Sequence, residues 1–233
     1  MNKGWRIVQI AVLMLACCAV GARAEGVTRQ EAIQIAEAYR TFVWQPTAQN
    51  AFHGADRAGV RVDTPDQGFR PPGSRPGWWV PGAANIGVPY KWGGFDSLKE
   101  FAAGVKAGRY AGDVYTAEKR RQLDAAVSQE TAGVDCSGLV SRCWKLDRAY
   151  STRTLPSLCD PLASYEDLKP GDILNTGNSH VLLFKEWTDG THRRLLAYET
   201  GAPPTWKVLL DNIPVELLRS QDYRPYRYRL MRD

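Results

Sequence analysis

Apolar residues recur every three or four positions in three parts of the first two thirds of the chain, which is typical of helices. The first part begins with TRQE at 28–31, a capping-box pattern, and predicts a helix over 28–44. The second part predicts helical structure over 96–131. The third predicts a helix from 133 to about 146, with Asp135 as its N-cap.

Short apolar segments separated by turn residues fill the last third of the chain and predict strands. Thr188-Asp189-Gly190, for example, is a turn between two such segments. Helices followed by a run of strands indicate an α+β fold with an antiparallel sheet. The predicted strands cover 172–175, 180–187, 194–200, 206–210 and 226–230.

Residues 45–87 are rich in glycine, proline and aspartate, which predicts long loops with at most short strands. Trp78 and Trp79 stand at the end of this segment. Their rings either form a hydrophobic plug between the N-terminal part and the core, or form a stacking wall for a ligand. We favour the plug, because aromatic residues serve packing more often than recognition.

The first 24 residues have the organisation of a secretory signal peptide. Two basic residues precede an apolar run over 7–20, and Ala-Arg-Ala at 22–24 fits the small-residue rule for cleavage. The run is shorter than the ~20 residues that a membrane span needs. We therefore expect an exported protein, periplasmic or secreted, that begins near Glu25 and has no stable membrane insertion. A lipoprotein anchored at Cys17 is the alternative, since LMLAC loosely resembles a lipoprotein motif.

Charge excludes one class of partner. The chain has 30 Lys and Arg against 25 Asp and Glu, and removing the three basic residues of the leader leaves 27 against 25. Because a nucleic-acid partner would need a clustered basic patch, none is expected. The 233 residues minus the 24-residue leader are enough to close one good hydrophobic core.

Three cysteines remain after the leader, namely Cys136, Cys143 and Cys159. An odd number in an oxidising compartment leaves one thiol without an intramolecular partner. Cys143 and Cys159 could form a disulfide, or Cys143 could be a buried helix residue. Cys136 follows Asp135 at a predicted helix start, where unpaired N–H groups and the helix dipole favour a thiolate. The same position also suits an inert core cysteine.

A cysteine nucleophile needs a base, and the chain has three histidines. His53 lies in a polar loop and His192 follows an Asp-Gly turn, so both are expected at the surface. His180 opens the apolar strand HVLLF and is the remaining candidate. Glu199, near the end of the next strand, can come beside the start of the previous strand and orient His180. The alternative for Glu199 is an edge carboxylate that faces solvent.

Four motifs, in this order, resemble the NlpC/P-sixty family of papain-like cysteine peptidases. They are VPYKWGG (88–94), DCSGLVSR (135–142), LKPGDIL (168–174) and SHVLLF (179–184). The resemblance covers roughly 85–230 and implies a papain-like fold, in which a nucleophile-bearing helix packs on a central antiparallel sheet. With the leader pattern and the composition of the segment that follows it, this resemblance divides the chain into a signal peptide at 1–24, an N-terminal helix and loop-rich segment at 25–84, and a peptidase domain at 85–233.

The resemblance implies a peptidase or amidase that acts on the peptide stems of bacterial peptidoglycan through a thioester intermediate. Cys136 would be the nucleophile, His180 the base and Glu199 the third member of the triad. No cofactor is expected, and the scattered histidines give no zinc-binding pattern. Two other functions stay open, namely an acyl or amide transferase with the same intermediate and a non-catalytic binding module of the cell envelope.

The resemblance also implies substrate-binding roles for Tyr90, Asp135 and Ser137, which match the family residues that border the nucleophile. Tyr90 precedes Cys136 by 46 residues, whereas the two motifs usually lie close together. A helical insertion over about 95–132 must therefore leave and return beside the site. The third position of the triad is commonly His, Asn or Gln, and a glutamate there would hold a protonated histidine more strongly.

Overall fold

The structure is a computed structural model that describes residues 26–73, 75–201 and 205–233. The predicted signal peptide and the alternative anchor at Cys17 lie outside the described residues. Within the described ranges, no helix is both long enough and apolar enough to cross a lipid bilayer.

Side-chain caps start the helices where the sequence predicts them. Thr28 accepts the backbone N–H of Glu31, and the Glu31 carboxylate accepts the N–H of Thr28, which confirms the capping box. This first helix ends at Thr41 and not at residue 44, because the next residues join a short strand. The α-helices of the described residues are α1 (Arg29–Thr41), α2 (Leu98–Lys106), α3 (Ala117–Gln122), α4 (Cys136–Cys143) and α5 (Val215–Ser220).

A six-stranded antiparallel sheet forms the centre of the molecule, with the strand order β12-β11-β10-β9-β13-β8. Each predicted strand of the last third matches one of its members, so the predicted α+β class is confirmed. The strands are β1 (Val27–Thr28), β2 (Val43–Trp44), β3 (His53–Ala55), β4 (Arg61–Asp63), β5 (Asn85–Ile86), β6 (Tyr110–Ala111), β7 (Thr131–Ala132), β8 (Cys159–Pro161), β9 (Ile173–Thr176), β10 (His180–Trp187), β11 (Arg194–Thr200), β12 (Val208–Pro214), β13 (Arg224–Tyr228) and β14 (Met231–Arg232).

Both faces of the central sheet are covered, which explains why residues 181–184 of β10 are an uninterrupted apolar run. Val181 and Leu183 belong to the core cluster that contains α4. Leu182 and Phe184 point to the opposite face and belong to a second cluster with Leu218 of α5. Complete burial of such side chains stabilises the fold by about 1.5–3 kcal/mol each.

The N-terminal segment packs into the same core as α4. One buried hydrophobic cluster joins the N-terminal segment to α4. It contains Ala32 and Ala36 of α1, Trp79, and Leu139 and Val140 of α4. Trp79 is fully buried and donates its indole N–H to a backbone carbonyl, so the predicted plug is confirmed for it. Trp78 is half-buried against the same core and donates its indole N–H to the Trp206 carbonyl.

The aspartate of the LKPGDIL motif ties the two ends of the described chain together. The Asp172 side chain is fully buried and pairs with Arg29 at 2.9 Å and with Arg227 at 2.7 Å. Arg29 opens α1 and Arg227 lies in β13, so one carboxylate connects the N-terminal helix to the sheet. This is a structural role for a motif residue that lies outside the candidate site.

The predicted insertion over 95–132 is helical only in part. It contains α2, α3 and a 3-10 helix at Leu123–Ala126, and the remainder is turns and short strands. The parallel pair of β6 and β7 closes the segment on itself. Tyr90 and Phe95 each form a β-bridge with Val134, so the insertion leaves and returns directly before α4.

The alternative of a disulfide between Cys143 and Cys159 is wrong in this structure, because both are free thiols. Cys143 is a fully buried residue of α4, and Cys159 is buried in β8 with its thiol hydrogen-bonded to the Leu155 carbonyl. Burial raises the pKa of Cys143 well above its ordinary value and, for the same reason, that of Cys159 to about 12. Neither is a nucleophile at neutral pH.

Candidate active site

Cys136 is the first residue of α4, and its side chain lines a cleft on the surface. Asp135 is the N-cap, as predicted, and its carboxylate accepts the N–H of Gly138 at 2.6 Å and the Ser137 hydroxyl at 2.9 Å. These bonds fix the start of the helix and therefore the position of the sulfur. The N–H of Cys136 belongs to the first turn and has no acceptor within the helix.

Close packing of two glycines brings the YKWGG segment against the start of α4. A Cβ atom on Gly138 would lie 1.9 Å from the carbonyl oxygen of Gly94, so only glycine fits there. The N–H of Asp135 also donates to that carbonyl at 3.0 Å. Helix α4 is therefore locked to the segment that carries Tyr90.

His180 and Glu199 meet as the sequence predicts. Leu183 of β10 pairs with Tyr198 of β11, so the first residue of β10 lies near the end of β11. The Nε2 atom of His180 lies 2.9 Å from Oε2 of Glu199. Glu199 is only 8% exposed, so the alternative of a solvent-facing edge carboxylate is wrong.

The His180 ring lines the cleft with Cys136, and the thiol is close enough to affect the pKa of the ring. Because Nε2 faces Glu199, the nitrogen left for Cys136 is Nδ1. Burial lowers the pKa of His180, but Cys136 and Glu199 outweigh it and raise this pKa to about 10. The raised pKa favours the imidazolium form of the ring at neutral pH, with Glu199 as the acceptor at Nε2.

Tyr90 lines the same cleft as Cys136. Burial, with the nearby Asp135 and Cys136, raises the pKa of Tyr90 well above its usual value, so its hydroxyl stays a neutral donor. Gly201 packs against this ring, and a Cβ atom there would lie 2.5 Å from two ring carbons. With φ at +105°, Gly201 also has a backbone conformation that favours glycine.

The cleft has a volume of about 690 Å³, within the range of small-ligand sites. One wall comes from α4 and the strands β10 and β11. A second wall comes from the YKWGG segment and the insertion, and residues at 151–153, 178–179, 221 and 223 complete the lining. The first wall includes Cys136, Ser137, His180, Glu199 and Gly201, and the second includes Trp92, Tyr115, Arg120, Leu123 and Val127.

All six residues predicted for the site line this one cleft. They are Cys136, His180, Glu199, Tyr90, Asp135 and Ser137. Sequence reasoning missed the insertion wall and Tyr223, whose ring meets that of His180 edge-on with centroids 6.5 Å apart. A tyrosine shortly before the last strand carries no signal that would place it beside a histidine 43 residues earlier.

The other two histidines lie away from the cleft, as predicted. His53 is exposed, but its ring bridges two carboxylates, at 3.3 Å from Asp63 and 2.9 Å from Asp66. His192 pairs with Glu166 at the hairpin tip and stacks on a tryptophan. Across the described part of the chain, no three His, Cys, Asp or Glu side chains are grouped so that they could hold a metal ion.

Comparison with known proteins gives no relative: no family model, no curated protein and no solved structure matches the chain. Function is therefore inferred from the geometry of the cleft and from the four motifs.

Proposed function

We propose that this protein is an exported, papain-like cysteine hydrolase that cleaves amide bonds in the peptide stems of bacterial peptidoglycan. The observation that carries the proposal is the placement of three groups in one cleft. Cys136 stands at a helix start, His180 lies in the cleft with it, and Glu199 lies 2.9 Å from Nε2 of the imidazole. This is the arrangement that activates a cysteine nucleophile.

The environment of the sulfur supports a thiolate. The helix start supplies partial positive charge, and the His180 imidazolium supplies a full charge. Cys143 and Cys159 lie neither at a helix start nor beside an imidazolium, and both are buried. One of the three cysteines of the described chain is thus set apart for chemistry.

The chemistry follows from these positions. The Cys136 thiolate attacks the amide carbonyl carbon, and the carbonyl π electrons move to oxygen. The N–H of Cys136 and the Tyr90 hydroxyl, which line the same cleft, donate hydrogen bonds to this oxyanion. When the intermediate collapses, the C–N bond breaks, His180 gives its proton to the leaving amine, and a thioester remains.

Hydrolysis of the thioester uses the same groups. His180, now neutral, takes a proton from water as the water oxygen attacks the thioester carbonyl. The C–S bond then breaks, which releases a carboxylic acid and restores the thiolate. Glu199 keeps the ring oriented through Nε2 in both steps, so Nδ1 always faces the reacting atoms.

The substrate class is supported by the resemblance to NlpC/P-sixty peptidases in all four motifs and by the leader pattern, which would direct the protein to the compartment of the cell wall. The chain departs from the family pattern in the insertion between Tyr90 and Cys136. This insertion supplies one wall of the cleft.

Mass spectrometry of purified muropeptides after incubation with residues 25–233 tests this function. The Cys136→Ala variant is the blank, and its circular dichroism spectrum should match that of the unmodified protein. New fragments that require Cys136 are expected, each pair heavier than its parent by one water. Fragments joined to an added amine instead of water would indicate a transferase. If neither protein yields a product, the cell-wall assignment is overturned.

A further inference from the structure

The insertion carries three consecutive basic residues with three different environments. Lys119 is buried, with its side chain 3% exposed, and pairs with Asp113 at 2.6 Å. Arg121 points to solvent and pairs with Glu118 on the same helix. Arg120, between them, lines the cleft.

Arg120 has no counter-charge. Within the described residues, its guanidinium makes no ion pair, side-chain hydrogen bond or cation–π contact, and it is half-buried. Asp124 lines the same wall one helical turn later but forms no ion pair with Arg120. A half-buried guanidinium without a protein partner is available to bind a carboxylate through two parallel N–H bonds.

The buried pair holds Arg120 in place. Lys119 also donates to the backbone carbonyl of Arg61 at 2.5 Å, so α3 is tied to β4 through its buried face. The residue next to Lys119 must then face a different direction, and the structure has it on the cleft side. Arg120 is therefore placed by the fold and is not a free surface arginine.

Beside Arg120 and Asp124, this wall presents apolar side chains. Tyr115 and Leu123 are each 40% exposed, and both line the cleft. Leu123 adopts a φ of +53°, which is unfavourable for leucine, and its carbonyl accepts the indole N–H of Trp92 at 3.1 Å. The ring of Trp92 contacts that of Tyr115 at 5.8 Å between centroids. An apolar surface is thus fixed beside an unpaired cation.

From this juxtaposition we propose that the insertion forms a specificity subsite for an anionic peptide. Arg120 binds a carboxylate of the substrate, and Trp92, Tyr115 and Leu123 contact the adjacent aliphatic part. This subsite rests on the proposed function, since it selects which amide Cys136 attacks.

The first test compares a synthetic stem peptide that has free side-branch carboxylates with the same peptide as its carboxamides. We expect kcat/KM to favour the acid by roughly tenfold, the effect of one charge-assisted hydrogen bond. Arg120→Gln should bring this ratio close to one through a higher KM for the acid. Arg120→Lys should keep part of the preference, and Asp124→Asn should increase it. Arg121→Gln, the adjacent arginine outside the cleft, should leave it unchanged.

A second test does not depend on hydrolysis. Iodoacetate is anionic and iodoacetamide is neutral, and both alkylate a reactive Cys136. Arg120→Gln should lower the ratio of the iodoacetate rate to the iodoacetamide rate, whereas Arg121→Gln should not. An unchanged iodoacetamide rate shows that the variant is folded.

The two proposals fail in different ways. If Arg120→Gln and Arg121→Gln give the same acid preference and the same alkylation ratio, the subsite is overturned, even where peptides are cleaved. If no peptide is cleaved but the alkylation ratio still falls in Arg120→Gln alone, the proposed function fails and the anion subsite stands. If neither reagent labels Cys136, both are overturned.

Discussion

The two walls of the cleft are built by opposite means. On the wall of α4, β10 and β11, Glu199, Asp135 and His180 are held by hydrogen bonds of 2.6–2.9 Å. On the insertion wall, Tyr115 and Leu123 are exposed and Arg120 has no partner among the described residues.

This difference separates two tasks. Groups that perform chemistry must keep one geometry and one protonation state, so their partners are inside the protein. Groups that select a substrate must leave their contacts open for it. Changes in the first wall should therefore reduce the rate for every substrate, and changes in the second should alter the choice among substrates.

The largest expected effect comes from the imidazole. His180→Gln should reduce kcat by roughly 10²–10⁴-fold for all substrates, because both proton transfers are lost. His192→Gln is the matched control, since that ring lies at the hairpin tip away from the cleft. Steady-state hydrolysis of acid and carboxamide peptides measures both. Equal activity of the two variants would contradict the role of His180.

A smaller effect is expected from the group that orients this imidazole. Burial lowers the pKa of His180, while Cys136 and Glu199 raise it to about 10, so the proton donor persists through neutral pH. Hydrolysis should therefore be lost as pH rises through about 10. The Glu199→Gln variant lacks one group that raises the pKa of His180. The alkaline limb of its kcat–pH profile should therefore move to lower pH. A limb at the same pH in both proteins would show that Glu199 does not act on His180.

Gly201→Ala should have a moderate effect on catalysis. Its new methyl would overlap the Tyr90 ring, and the residue would keep a positive φ that alanine disfavours. We expect roughly a tenfold loss of kcat/KM, from strain of about 1–3 kcal/mol at that position. Gly190→Ala, at the hairpin tip, meets no atom within 4 Å and serves as the control. A loss in both variants would point to a general effect and not to Tyr90.

Asp113→Asn should have the smallest effect on chemistry and a large effect on the insertion. It leaves Lys119 buried without its charged partner, which should lower the free energy of unfolding by about 3–5 kcal/mol. Glu118→Gln removes the exposed partner of Arg121 and should cost about 0–1 kcal/mol. Urea unfolding measures both. The kcat for the carboxamide peptide should stay unchanged in Asp113→Asn, whereas the acid preference should fall.

Much of the wall formed by α4, β10 and β11 could be predicted from the sequence, because local rules determine it. The capping pattern at Thr28, the N-cap at Asp135 and the adjacency of antiparallel strands near His180 and Glu199 all act over short distances or through strand pairing. These features correctly gave the positions of the two helix starts and the approach of the two side chains.

The insertion wall could not be predicted in the same way. A Lys-Arg-Arg run in a helical segment usually indicates a solvated face, and nothing in the sequence shows that Lys119 has a buried partner. Helix α3 ends at Gln122, and its C-cap is Leu123 with a positive φ, a residue type that gives no stop signal. The disulfide alternative failed for a related reason, since spacing cannot tell two buried thiols from a bridge.

In the proposed mechanism, His180 holds Cys136 as a reactive thiolate. The rate of Cys136 alkylation by iodoacetamide between pH 5 and pH 9 tests this role directly, in the unmodified protein and in His180→Gln, with the labelled cysteine identified by mass spectrometry. We predict rapid labelling at pH 6 in the unmodified protein and slow labelling at the same pH in His180→Gln. Identical pH profiles for the two proteins would contradict this role of His180.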